Sequence, residues 1–164
     1  MIEAIFKWLL IVIVVLVVAA VIAGQLGLLR GSPPADLGLR EGKLKRPSKT
    51  PNSVSSQADL WPGDAQQNYA RIAPLPLVGT GAETMARLKD VVQAQPGAEV
   101  VKAEGDYLYA IFTTRLMKYT DDVEFWFDPV QQVVQVRSAS RLGSKDLGAN
   151  RARVEALRAA LQAR

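Results

Sequence analysis

The sequence predicts an α+β fold that follows an N-terminal transmembrane helix: a mostly antiparallel sheet of about five strands, with one helix before and one helix after the meander. Three observations support this prediction. An apolar stretch of membrane-spanning length lies near the N-terminus, strand-like runs follow one another through short turns, and amphipathic helical patterns flank those runs. This order of elements is typical of the α+β class.

Residues 1–30 form the predicted membrane anchor. From Trp8 to Leu29 only two glycines and one glutamine interrupt the apolar side chains. As a helix this stretch would extend about 33 Å, enough for a hydrocarbon core of about 30 Å. Cleavage of a signal peptide after Ala23 is the alternative, but the stretch exceeds the ~7 to 15 apolar residues of a typical signal. We therefore expect a retained single-pass anchor with the lipid bilayer as a partner.

Residues 31–68 are rich in Gly, Ser, Pro and Asn, and the sequence predicts a linker that docks locally. The globular domain is predicted over residues 69–164. It begins with an extended segment at 71–78, whose two prolines confine it to a sheet edge. Thr80 and Glu83 then form a capping box, which indicates the start of an amphipathic helix.

Four strands and a final helix complete the predicted domain. The strands are expected at residues 99–103, 107–115, 122–127 and 133–138. Polar or turn-forming connections join them, so an antiparallel meander is expected. The last helix is predicted at 147–162, with an apolar stripe that includes Val154 and Leu157 and also carries Asn150.

Composition excludes several classes of function. The 164 residues include 20 Lys+Arg and 16 Asp+Glu but no Cys and no His. A Ser-His-Asp triad, a cysteine nucleophile, a disulfide and a Cys/His zinc site are therefore excluded. Basic and acidic residues are interleaved, which argues against a nucleic-acid partner. We expect no cofactor and no metal.

Polar residues of the last hairpin and the last helix form a candidate cluster. A two-residue loop in that hairpin would place Asp122 opposite Arg137, and a four-residue loop would place Glu124 there. Asn150 needs a buried partner, for which Ser138, Ser140 and Arg137 are candidates. The full candidate cluster is Asp122, Glu124, Arg137, Ser138, Ser140, Arg141, Asp146, Asn150 and Arg151.

Two interpretations of this cluster remain open. In the structural one, it pins the last helix to the sheet, with Arg137 neutralising a carboxylate beneath that helix and Asp146 capping its start. In the functional one, three arginines (Arg137, Arg141 and Arg151) clamp an anion and a nearby carboxylate acts as a base. Trp126 is expected to lie exposed beside these charges unless a helix covers it.

Several segments resemble the bacterial family called domain of unknown function 1499, which has plastid relatives. They are residues 51–56, 122–125, 136–143 and 146–151, and the likeness extends from about residue 39 to the C-terminus. Arg46 and Ser53 stand where the family has two cysteines, so any disulfide or metal role of that pair cannot apply here. The resemblance implies an association with the bacterial envelope and no known activity.

We therefore expect a single-pass envelope protein of the bacterial inner membrane. The charges that flank the apolar stretch leave its orientation open, but the family's cysteine pair suits an oxidising compartment, which favours a periplasmic domain over a cytoplasmic one. The expected role is a non-catalytic binding or structural domain near the membrane surface, with an unknown protein or a small anionic ligand as partner. The alternative is an enzyme with a carboxylate and arginine site for an anionic substrate.

Overall fold

The computed structural model describes residues 1–163 and confirms the α+β architecture with an N-terminal apolar helix. A short 3-10 helix at Ala58–Leu60 accompanies the numbered elements. Those elements are α1 (Ile2–Gln25), β1 (Ser53–Ser55), α2 (Gln67–Ala70), α3 (Gly81–Gln93), β2 (Ala98–Glu104), β3 (Tyr107–Thr113), β4 (Thr120–Asp128), β5 (Val133–Ser140) and α4 (Ala149–Gln162).

Helix α1 is long and apolar enough to cross a membrane. It has 24 residues and a mean hydropathy of 3.1, and none of its apolar window is buried against the rest of the chain. A signal sequence near an N-terminus can also be this long and apolar, so the helix by itself does not distinguish an anchor from a signal. It begins earlier than the predicted Trp8 because the preceding residues are also mostly apolar.

The five strands form one antiparallel sheet in the order β1-β5-β4-β3-β2. The predicted meander is present as β2 to β5. The fifth strand, however, is β1, whereas the expected edge strand at 71–78 is not formed. Leu75 makes a single bridge to Val134. Pro74 and Pro76 on either side of Leu75 have no N–H group to continue the pairing.

The segment 31–68, predicted as a linker, contributes to the folded domain through β1 and through side chains that pack against it. Val54 and Leu44 are almost fully buried. Pairing with β5 satisfies the backbone of β1, and the Gln57 side chain accepts a hydrogen bond from the N–H of Leu44 at 2.8 Å. The linker prediction was based on amino-acid composition, which reflects the number of apolar side chains. Composition does not show that the backbone of β1 can pair with the edge of a sheet.

Helices α3 and α4 cover one face of the sheet and enclose the apolar core. The predicted capping box of α3 is present, since the Thr80 side chain accepts from the N–H of Glu83 and the Glu83 carboxylate accepts from the N–H of Thr80. The apolar stripe of α4 is buried as predicted. The core comprises Val54, Ile72, Leu75, Met85, Leu88, Val92, Leu108, Ala110, Phe112, Val123, Phe125, Val134, Val136, Val154, Leu157 and Leu161.

Candidate functional site

The pleat of the sheet divides the candidate polar residues between two faces. A four-residue turn joins β4 to β5, so Glu124 lies opposite Arg137. Both side chains point away from α3 and α4, because they alternate with the core residues Val123, Phe125 and Val136. The expectation that Arg137 lies beneath the final helix is therefore wrong.

The helix-face network, on the side of α3 and α4, is centred on Asn150. Its Oδ1 accepts from the Ser138 hydroxyl at 2.6 Å. Its Nδ2 donates to the Asn52 carbonyl at 3.1 Å and to Ser140 Oγ at 3.1 Å. Of the three partners considered for Asn150, the two serines are found, and Arg137 lies on the opposite face.

Arg153 and Asp121 complete the helix-face network, and sequence reasoning did not identify either residue. Arg153 donates to Asp121 Oδ2 at 2.6 Å and to Asn150 Oδ1 at 2.8 Å. The alternation of β4 was the available signal: Asp121 shares the face of the buried Val123, and a carboxylate there requires a partner. This network joins α4 to the sheet.

Asp146 stabilises the first turn of α4. It accepts hydrogen bonds from the N–H groups of Gly148 and Asn150 and from the Tyr69 hydroxyl. Burial alone would raise the pKa of Asp146, but the hydrogen bonds from Tyr69, Gly148 and Asn150 outweigh burial and lower this pKa. Its expected capping role is thus seen, although Gly148 occupies the cap position itself.

Arg151 belongs neither to the helix-face network nor to the group that contains Arg137 and Arg141. Its Nη2 donates to the carbonyl oxygens of Tyr69 and Arg71 at 2.7 and 2.9 Å. These bonds tie α4 to α2 and its following residue. Arg151 is therefore engaged with backbone and is not brought together with Arg137 and Arg141.

The outer-face cluster lies on the side of the sheet away from α3 and α4. It consists of Asp122, Glu124, Arg137 and Arg141 with the hydroxyls of Tyr107 and Tyr109. Within it, Arg141 binds Asp122 through Nε at 3.0 Å and Nη2 at 2.7 Å. Tyr109 donates to the same carboxylate at 2.5 Å. Burial and this hydrogen bond raise the pKa of Tyr109 to about 12.

Arg137 differs from the other arginines of the cluster because its guanidinium has no hydrogen-bond acceptor within residues 1–163. The side chain is 2 % exposed, and Nε and Nη1 are buried without a partner. The nearest carboxylate oxygen is Glu124 Oε2, 3.6 Å from Nη1, which is too long for a hydrogen bond. Burial lowers the pKa of Arg137.

Glu124 is held in place by other donors. The N–H of Gly38 and the Tyr107 hydroxyl both donate to its Oε1, at 2.7 and 2.8 Å. Its Oε2 is buried and accepts no hydrogen bond from residues 1–163. Burial of the Tyr107 hydroxyl, followed by the charge of Glu124 and the hydrogen bond to it, raises the pKa of Tyr107 well above its ordinary value.

Arg137 forms the floor of a cavity of about 530 Å³, which we call the basic cavity. Residues of the segment 36–49 and Trp61 form its walls. Six cations and two carboxylates line it: Arg40, Lys43, Lys45, Arg46, Lys49 and Arg137 with Asp36 and Glu41. Lys45 pairs with Asp36, and Arg46 pairs with Asp64. The other three surface cations have no ion pair within residues 1–163.

Trp61 adds a further donor to the basic cavity. Its indole Nε1 is buried and has no acceptor within residues 1–163. Lys43 and Arg46 lie 5.9 and 5.7 Å from its ring centroid, within cation–π range. Sequence reasoning placed Trp61 in a turn and did not connect it with Arg137, because more than 70 residues separate them.

The same segment covers Trp126. A Cβ at Gly42 would lie 3.8 Å from the Trp126 ring, so the backbone passes close over the indole, and Trp126 is half-buried. The covering segment was expected to be a linker. It is instead the wall that covers Glu124 and Arg137 on the outer face.

Together these features define an α+β domain with an N-terminal apolar helix and a buried, unsatisfied arginine beneath a basic cavity. The family model described as protein of unknown function (DUF1499) matches residues 43–161. The chain belongs to this family, as the resemblance of its segments predicted. No curated protein and no solved structure matches the chain.

Proposed function

We propose that this protein is a single-pass, membrane-anchored envelope protein whose domain binds a small anionic ligand in the basic cavity without transforming it. The observation that carries the proposal is the Arg137 guanidinium, which is buried at the cavity floor with no hydrogen-bond acceptor within residues 1–163. A buried charged group without hydrogen bonds is costly. A bound anion would supply the missing acceptors.

The chemistry of the donors favours a carboxylate or phosphate group. The guanidinium presents a planar fork that matches two oxygens of either group. Nη1 lies 3.6 Å from Glu124 Oε2, so we propose that the ligand binds at the opposite edge of the guanidinium, formed by Nε and Nη2. The indole N–H of Trp61 and the cations of the rim provide further donors at the same cavity.

The binding proposal is tested by thermal unfolding of the full chain in detergent. Inorganic phosphate, pyrophosphate and acetate are each compared with chloride at equal ionic strength, because a ligand that binds only the folded state raises Tm. The wild type is expected to gain stability with at least one of these anions, and Arg137→Gln to lose that gain.

Arg71→Gln is the matched control, since Arg71 forms an exposed ion pair with Asp59 outside the cavity. This control should respond to anions as the wild type does. Equal responses of the wild type and Arg137→Gln would refute binding at the cavity floor.

The anchor and its orientation are tested separately. The full chain should remain with membranes after carbonate washing, whereas a mature protein beginning at Gly24 would identify α1 as a cleaved signal. A reporter that fluoresces only in the cytoplasm, fused after the last residue, should stay dark if the domain is periplasmic. Bright fluorescence would place the domain in the cytoplasm.

An enzyme acting on an anionic substrate is the second candidate, and Glu124 is the observation that favours it. Its Oε2 is buried without a hydrogen-bond partner beside the donors proposed to bind the anion. Such a carboxylate is placed as a general base would be. Turnover of a phosphate or carboxylate ester by the wild type, lost in Glu124→Gln while anion binding persists, would favour this alternative.

A further inference from the structure

We infer that the end of the domain next to α1 is a membrane-docking surface that lies on anionic lipid headgroups. This membrane-proximal surface consists of residues 26–31, the β3–β4 loop at 114–119 and the β5–α4 loop at 141–148. The inference depends on α1 being the retained anchor proposed above. It does not depend on the basic cavity, which is lined by different residues.

The first argument is continuity with α1. Gln25 donates to the carbonyl oxygen of Leu116 at 2.8 Å. Gly24 packs so tightly on the β3–β4 loop that a Cβ there would lie 2.5 Å from the Met117 carbonyl oxygen, and a Cβ at Gly31 would lie 2.9 Å from Arg141 Cβ. The β3–β4 loop therefore lies beside the C-terminal end of α1, and the β5–α4 loop lies beside Gly31, shortly after that end. A helix of 24 residues is about 36 Å long, so this end emerges at the headgroup level of a bilayer with a core of about 30 Å.

The second argument is the distribution of exposed apolar side chains. Within residues 32–163, eight large hydrophobic residues are exposed, and four of them lie in these two loops. Those four are Leu116, Tyr119, Leu142 and Leu147. Leu147 is 94 % exposed and Leu116 is 60 % exposed. Leucine and tyrosine side chains gathered at one end suit the boundary between headgroups and acyl chains.

The third argument is charge. The membrane-proximal surface carries Arg30, Arg115, Lys118 and Lys145, none of which forms an ion pair within residues 1–163. Its only carboxylate is Asp146, which already accepts hydrogen bonds from the protein. Basic side chains around an apolar centre match an anionic lipid surface.

The experiment uses the full chain, which has no cysteine, so single cysteines can be introduced and labelled with the environment-sensitive fluorophore NBD. Leu147→Cys and Leu116→Cys probe the two loops. Val130→Cys is the matched control, because Val130 is 89 % exposed in the β4–β5 turn. That turn lies about 30 Å away, at the other end of the nine-residue strand β4.

Each labelled chain is reconstituted into vesicles of phosphatidylcholine and phosphatidylglycerol that contain lipids spin-labelled near the headgroup. The two loop probes are expected to emit at shorter wavelength and to be quenched by the spin-labelled lipids, while the Val130 probe shows neither change. Lys118→Ala and Lys145→Ala should each weaken docking about fivefold, which is the contribution of one lysine near an anionic surface. Docking of the wild-type domain should be weakened to a similar degree on vesicles of phosphatidylcholine alone.

Loop probes quenched no more than the Val130 probe, in chains that still float with the vesicles, would overturn the inference while leaving the anchor intact. A shift to shorter wavelength without lipid quenching would also overturn it, because it would identify a protein contact. Equal quenching in both vesicle types, unaffected by the lysine substitutions, would overturn the assignment to an anionic surface. Loss of the chain from the vesicles would instead count against both the anchor and the docking surface.

Discussion

Replacing Asn150 with alanine removes the residue that links α4 to β5 and to Asn52, which directly precedes β1. The Asn150 side chain is fully buried and lies within hydrogen-bond distance of five groups, two of which are the Ser138 hydroxyl and the Asn52 carbonyl in the buried interior. The remaining partners are Ser140, Asp146 and Arg153. Because the amide serves several elements at once, its loss should affect the whole domain.

The magnitude follows from these partners. The two buried hydrogen bonds are worth about 1 kcal/mol each, and the Asn52 carbonyl is left without this donor. The three other bonds lie where water can replace the amide, and together they add about 1 kcal/mol. Asn150→Ala is therefore expected to lower the free energy of unfolding by about 3 kcal/mol, a large share of the stability of a small domain.

Urea unfolding of the full chain in mild detergent, followed by tryptophan fluorescence, measures this change. Asn68→Ala is the matched control, because Asn68 is an exposed asparagine on α2, and its substitution should change stability by less than about 0.5 kcal/mol. If Asn150→Ala lowers the free energy of unfolding by less than about 1 kcal/mol, or if both variants lower it equally, Asn150 does not hold α4 on the sheet.

Three further predictions use the same unfolding measurement. The double substitution Arg137→Met and Glu124→Gln should raise the free energy of unfolding by about 1 to 4 kcal/mol in the absence of ligand. The reason is that it replaces a buried charged pair that lacks good hydrogen bonds. A loss of stability would show that the pair is structural. Thr80→Ala should cost about 1 kcal/mol by removing the capping box of α3, and an unchanged midpoint would contradict this role. The pKa of Asp146 is lowered on folding, so its stabilisation is complete above its ordinary pKa of 3.8 and is lost as pH falls through the lower folded value. Asp146→Asn should therefore lose less stability on acidification below about pH 4 than the wild type, and parallel pH profiles would contradict the linkage.

Local patterns accounted for most of the secondary structure. The apolar run, the capping box of α3 and the alternating strands each depend on residues close in sequence, and each appears near its predicted position. The prediction of the edge strand was wrong because the position of that strand depends on a long-range contact. Residues 71–78 look extended by themselves, yet β1 takes the edge because its three residues fit the free side of β5, a contact made across more than 80 positions.

The candidate site was predictable in part. Alternation correctly placed Asp122, Glu124 and Arg137 on one face, and the stripe of α4 correctly indicated that Asn150 is buried. Partner choice was not predictable, because it depends on the length of the β4–β5 turn and on which segment covers each face. Asp122 consequently pairs with Arg141, while Arg137 is left beneath a cavity.

The sequence by itself determined the apolar N-terminal helix, helices α3 and α4, the four strands of the meander and the family. It could do so because periodicities of two and 3.6 residues are local properties of the chain. The tertiary structure alone decided that the segment 36–49 folds over the outer face of the sheet. That segment has little apolar area, and its backbone and lysines gain their contacts only after the sheet exists. The burial of Arg137 without hydrogen-bond partners therefore results from long-range packing, and no local sequence pattern predicts it.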